Sequence, residues 1–239
     1  MARLGLFGAF GAAVLLAVCS AAAHSGALAA TAEQGVVTPP RFLSGPPSDY
    51  PASARDSGHH GEVVIAGTLG IDGRIRDAAV AVSSGSPILD GASLDAARGA
   101  LFTPALGEAG MPVEASVRMP FSFARYRSEV PGGGLVHYRC AAFAQDMRWW
   151  RATFPHRPWD QHELYQMILG LPFLMRGVDL SSAHTRLAAH VADFERRWEQ
   201  ALVRCSTSPT KRLAEVLQPE GRMMDRLSRR IREATASDR

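Results

Sequence analysis

The side chains in this chain whose types could carry chemistry are cysteines, histidines, serines and a few glycines. The three cysteines are Cys19, Cys140 and Cys205. Thiols pair as disulfides in an oxidising compartment and stay reduced in the cytosol. An odd count leaves one unpaired unless it is absent from the mature protein. His59-His60 is an adjacent pair of metal-ligating type, but no Cys or carboxylate falls at ligand spacing, so it reads as a polar turn ahead of a strand. Ser83-Ser84-Gly85-Ser86 does not match a nucleophile elbow and reads as a strand-to-helix loop. Gly67, Gly70 and Gly73 lack the strand before and helix after that a phosphate cradle demands. His137, His156, His162, His184 and His190 form no acid–base constellation. These patterns predict no catalytic site, no metal site and no cofactor.

Composition narrows the class. Hydrophobic residues make up 46% of the 239 residues and charged residues 21%, ordinary globular values that exclude disordered, collagen-like and coiled-coil chains. The net charge is +3, too small to argue for nucleic acid as a partner. Lys211 is the single lysine among 26 basic residues, a bias typical of genome base composition.

Residues 4–23 are nearly all apolar and follow Arg3. A basic start, an apolar run and small residues describe an export signal. Cleavage patterns recur at Ala21-Ala22-Ala23, Ala27-Leu28-Ala29 and Ala30-Thr31-Ala32, and a cut after Ala32 is preferred. Two alternatives stay open: membrane attachment through residues 4–23 as a retained anchor, and lipidation at Cys19. Each places the remaining chain outside the cytoplasm, in the periplasm. Cys140 and Cys205 are then an even pair, expected as a disulfide closing a loop of about 65 residues and adding about 4 kcal/mol of stability.

The expected organisation is a signal or anchor over 1–32, an extended proline-containing linker over 33–48, an α+β domain over 49–127 and an all-α domain over 135–239. Pro51 opens a single helical turn. Period-two alternation predicts strands over 62–71 and 74–83, joined at Asp72-Gly73 by a type I′ turn. Ser86-Pro87 caps a helix with Leu89, Leu94, Ala97 and Leu101 on its buried stripe. A third strand is expected over 113–123, with Val113, Ala115, Val117, Met119, Phe121 and Phe123 on one face. The order is helix–strand–strand–helix–strand, with a three-stranded antiparallel sheet. Beyond the breaker at 131–134, apolar residues recur at helical spacing through Val136, Cys140, Phe143, Met147, Trp150 and Phe154. Asp160-x-x-Glu163 predicts a capping box, Ser181 or Ser182 starts a longer helix, and Pro209 and Pro219 open further ones. Trp150 and Trp198 fit core stripes, while Trp149 and Trp159 are candidates for a partner surface. Arg222, Arg226, Arg229 and Arg230 form the polar side of a last amphipathic helix.

A set of short matches falls in order along residues 50–123. It comprises Tyr50-Pro51, Gly61-Glu62-Val63, Asp72-Gly73-Arg74-Ile75, Val82-Ser83-Ser84-Gly85, Leu89-Asp90, Ala96-Ala97-Arg98, Phe102-Thr103-Pro104-Ala105 and Gly110-Met111-Pro112-Val113. Together they resemble the C-terminal domain of the TonB family, over roughly a third of the chain. The resemblance implies a non-enzymatic envelope protein that adds an extended segment of a protein partner, such as an outer-membrane receptor, to an exposed sheet edge. It makes the last strand, with Val113, Ala115, Val117, Met119 and Phe121, the free edge. It also sets Tyr50 and Pro51 near the bound segment. Arg55 stands where the family often has a receptor-contacting glutamine. Two alternatives accompany this reading: a membrane-anchored energy transducer, and an envelope enzyme whose site lies in the helical half. Residues 24–47 offer a spacer of at most ~80 Å, and the helical half exceeds the family's usual length.

Overall fold

A computed structural model describes residues 29–30, 36–46, 49–127, 134–176 and 183–237. The strands are β1 (Ala29–Ala30), β2 (Phe42–Ser44), β3 (Gly61–Leu69), β4 (Ile75–Val82), β5 (Leu101–Phe102), β6 (Ala105–Leu106), β7 (Pro112–Val113) and β8 (Ala115–Phe123). The helices are α1 (Ala52–Asp56), α2 (Pro87–Gly99), α3 (Cys140–Thr153), α4 (Glu163–Arg176), α5 (Ala183–Thr207), α6 (Leu213–Val216) and α7 (Glu220–Ser237), with a 3₁₀ turn at Trp159–Gln161. The fold is α+β followed by an all-α region.

The main sheet is antiparallel, in the order β1-β8-β3-β4. β3 and β8 pair without a break from Gly61↔Phe123 to Leu69↔Ala115. Strict alternation along β8 buries Ala115, Val117, Met119 and Phe123 while Ser116, Arg118, Pro120 and Ser122 face solvent. The buried face packs with Val63, Ile65 and Leu69 of β3 against Leu89 and Ala97 of α2. The Ser86 hydroxyl caps α2 by accepting from the Leu89 N–H, and Pro87 supplies its first turn.

Three local expectations change. The hairpin after β3 is not a two-residue type I′ turn, because only Gly73 takes positive φ (75°). Gly73 N–H donates to Gly70 C=O at 2.9 Å, so the chain makes a longer turn ending on a left-handed glycine. The third strand is interrupted at Glu114: β7 pairs with β6, and only β8 joins the main sheet. The helix ends at Gly99, so Leu101 lies in β5 and Ser93 and Ala96 take places on the buried stripe.

Residues 36–46 are extended, as a linker would be, and they are also tied down. β2 pairs with β5, Thr38 bridges to Leu106, and Arg41 and Thr103 exchange hydrogen bonds of 2.8 Å.

The helical half has its own core, built on Phe143, Met147, Trp150, Trp159, Leu164, Tyr165, Ile168, Phe194 and Trp198. Cys140 and Cys205 form a disulfide that joins the start of α3 to the end of α5, with Cα atoms 4.6 Å apart. Beside it, Cys140 N–H donates to Lys211 C=O and Leu213 N–H to Tyr138 C=O, both at 2.8 Å. Buried Glu220 at the start of α7 is neutralised by Arg197 of α5 at 2.6 Å. Asp160 does not cap α4; the Leu164 N–H donates instead to His162 Nδ1 at 3.1 Å. The expected helix starts at Ser181 and Ser182 lie outside the described residues.

Candidate functional site

The open side of β8 is the feature of this sheet that can do something chemically. A strand edge presents unpaired N–H and C=O groups, which bind another strand. Pro120 tells which groups those are. Proline is tolerated in a paired strand where its missing N–H faces outward. Main-chain groups alternate sides along a strand, so Ser116, Arg118 and Ser122 share that outward side with Pro120. The edge therefore offers donors at 116, 118 and 122, and none at 120. Part of it is already used: β1 lies antiparallel on β8, with Ala29↔Arg118 and Ala30↔Val117.

The residues singled out from sequence are distributed unevenly around this edge. Val117 and Met119 lie on β8 with their side chains in the core under α2, Ala115 is buried beside them, and the exposed residues of the strand are Ser116, Arg118, Pro120 and Ser122. Phe121 is half-buried. Val113 is on β7, paired with Ala105 and off the main sheet. Pro51 is the N-cap residue of α1. Arg55 is half-buried and pairs with Asp56 at 3.3 Å. Tyr50 packs its ring on Phe123 and donates its hydroxyl to His59 C=O.

Tyr50 also marks a junction that sequence reasoning missed. The residues just before β3, the loop after β4 and the residues after β8 all meet α3 or the start of α4. Arg125 donates to the carboxylate of Asp146, to Gln145 Oε1 at 3.0 Å and to Ala142 C=O at 3.2 Å. Asp146 is wholly buried and also accepts from the Tyr138 hydroxyl. Burial first, then the Asp146 charge and hydrogen bond, push the Tyr138 phenol well above its usual range. Gln145 Nε2 donates to Asp56 C=O at 2.6 Å, tying α1 to α3. Tyr126 and Arg127 both donate to Glu163, at 2.9 and 2.6 Å. Two left-handed glycines permit the close approach. A Cβ on Gly58 would sit 3.0 Å from Gln145, and one on Gly85 would sit 2.6 Å from Thr153.

Histidines and tryptophans fill the centre of this junction. His59 stacks on Trp149 and bonds Ser86 Oγ at 2.8 Å. His60 is buried, not part of a solvated turn, because its ring lies against Trp149 and meets His162 at 2.9 Å. Trp159 is not a surface residue: it is buried, stacked on Trp150 and covered by Arg151 at 3.9 Å. Trp149 is half-buried between His59, His60 and Phe154. The detectable signal was Asp146, a charged residue on the same stripe as Phe143, Met147 and Trp150. Among the described residues, no group of three or more His, Cys, Asp or Glu converges on a metal position, and no helix is long and apolar enough to cross a membrane. Residues 4–23 and Cys19 lie outside the described residues.

The fold defines a class: a small α+β domain, one α-helix on one face of an antiparallel sheet, with β8 toward its edge under the short β1. Residues 46–124, about a third of the chain, match the family described as Gram-negative bacterial TonB protein C-terminal, and this segment is a TonB C-terminal domain. The family is a transport-associated one of the Gram-negative envelope. The helical half lies outside the match. No curated protein and no solved structure matches the chain.

Proposed function

We propose that this protein is a periplasmic binding module that takes an extended segment of an envelope protein, such as an outer-membrane receptor, as an added strand on the open edge of β8. The observation that carries the reading is the pairing of β1 with β8: main chain from outside the domain sits on this edge in antiparallel register. β8 is nine residues long, about 30 Å of edge, enough for several main-chain hydrogen bonds. Affinity then comes from the backbone, and selectivity from Ser116, Arg118 and Ser122 beside it. Residues 36–46 are held along the domain and Ala29–Ala30 lie on β8, so the length free to act as a spacer after residues 4–23 is much shorter than residues 24–47. That short reach favours a binding module over a transducer that crosses the periplasm by itself.

The edge is tested by removing one outward donor. Arg118→Pro deletes the N–H at 118 and leaves the pairing of β8 with β3 intact, while Arg118→Ala removes only the side chain. The reading expects Arg118→Pro to lose an outer-membrane partner that Arg118→Ala and the parent recover. Equal recovery by a folded Arg118→Pro variant sinks it.

A further inference from the structure

His60 and His162 approach nose to nose, with their Nε2 atoms 2.9 Å apart. A hydrogen bond between two ring nitrogens needs one N–H and one lone pair. The surroundings decide which is which. His60 Nδ1 lies 2.8 Å from Gly58 C=O, which can only accept, so Nδ1 carries the proton. His162 Nδ1 accepts from the Leu164 N–H at 3.1 Å, so it carries a lone pair. With both rings neutral, the remaining proton of His162 is on Nε2 and points at the lone pair of His60 Nε2. Every ring nitrogen of the pair is then satisfied, in one arrangement.

That arrangement has no room for another proton. A proton on His60 Nε2 would face the His162 N–H, and one on His162 Nδ1 would face the Leu164 N–H. Neither ring can turn to water, because His60 is 3% exposed and His162 is 2% exposed. Trp149 closes over His60, and Trp150 and Trp198 flank His162. The acidic groups facing His60 are Asp146 and Glu163, and the basic one is Arg125. Asp146 is already held by Arg125 and Tyr138, and Glu163 by Arg127 and Tyr126. Neither carboxylate is left to balance an imidazolium. The group facing His162 is His60 itself. Burial pushes both histidines below their usual range, and His60 adds to the effect on His162.

The two rings sit on opposite sides of the junction. His60 immediately precedes β3, the strand that supports β8, and His162 immediately precedes α4. We propose that this histidine pair is a proton-sensitive latch that holds the sheet domain on the helices while both rings are neutral and loosens the junction when they are protonated. The latch concerns the junction and does not depend on what binds at β8. The sign follows from linkage. The docked state refuses protons that separated histidines accept, so docking is complete above pH 6.5 and weakens as pH falls below it. Well below pH 6.5 each histidine shifts the docking equilibrium by about tenfold per pH unit, so the pair supplies roughly several hundredfold between pH 7 and 5.

Two measurements on the full disulfide-bonded protein test the latch. Ring ¹⁵N spectra at neutral pH should show two neutral imidazoles, His60 protonated on Nδ1 and His162 on Nε2, both unchanged in the docked protein at pH 6. Amide exchange, corrected for its intrinsic pH dependence, should show residues 58–61 and 162–164 losing several hundredfold or more of their protection between pH 7 and 5. Ile65 and Met119, in the centre of the sheet, should keep theirs. A His60→Gln/His162→Gln double variant should lose this pH dependence, and if it fails to fold, the parent measurements decide alone. Either ring becoming cationic in the docked protein near pH 6, or protection at the junction that ignores pH, overturns the proposal.

Discussion

Arg125, just past the end of β8, lays its guanidinium on the wholly buried carboxylate of Asp146 in α3. The strand that carries the open edge is thereby bonded to the helical half. Removing one partner of a buried pair strands the other charge, which costs about 3–5 kcal/mol. Arg125→Ala should destabilise by about that much in urea unfolding. The double variant Arg125→Ala/Asp146→Ala should lose less than the sum of its two single variants, because no charge is left stranded. Additive losses would mean the two side chains act independently.

The Cys140–Cys205 bond closes a separation of 65 residues between α3 and α5. On the chain-entropy account it contributes about 4 kcal/mol. Reduction, or Cys140→Ala/Cys205→Ala, should lower the unfolding midpoint accordingly. Mass mapping without reductant should find these two residues joined, and two free thiols would contradict the pairing.

All four tyrosines resist ionisation in the folded protein. Burial, then the Asp146 charge, raises Tyr50, and burial with Glu163 raises Tyr126. Burial and Asp146 do the same for Tyr138, while burial and Glu195 push Tyr165 up to about 12. An unfolded chain releases these protons near pH 10, and the native state cannot. Stability is therefore intact below pH 10 and falls as pH rises above it. Phenolate absorbance should stay flat past pH 10 in the native protein and appear together with unfolding. A tyrosine that titrates near 10 while the circular dichroism stays native would contradict this.

Gly85 and Gly91 should respond in opposite directions to alanine. At Gly85 the backbone is left-handed (φ +83°) and a Cβ would meet Thr153 at 2.6 Å, so Gly85→Ala should destabilise by roughly 2–4 kcal/mol. Gly91 lies inside α2 with nothing within 4 Å of an added Cβ, so Gly91→Ala should stabilise by about 0.5–1 kcal/mol. Thermal melts of the two variants check both signs.

The sheet domain was legible because its signals are local. Alternation in β8, the Ser86-Pro87 cap and the Tyr50-Pro51 turn each depend on neighbours in sequence. The helices after residue 134 were legible for the same reason, through apolar spacing, and the disulfide through cysteine parity. The junction was not legible, because its contacts join residues far apart in sequence. His60 and His162 are separated by 102 positions, and nothing near either one announces the other. The split at Glu114 was hidden too, since an alternating pattern does not reveal which strand each half pairs with. Pro120 was the overlooked clue in β8: it indicates which alternate residues face outward, and those are the exposed ones, not the core-facing set.

β8 is proposed to take an added strand from an envelope partner. Photoreactive residues placed at 116, 118 and 122 on the open edge, and at exposed Ala79 on β4, test it directly in intact cells. Strand addition at β8 should give adducts from the three β8 positions to one extended segment of an outer-membrane protein, stepping about two partner residues for every two along β8, and none from Ala79. Scattered adducts without register, or equal labelling from β4, would contradict it.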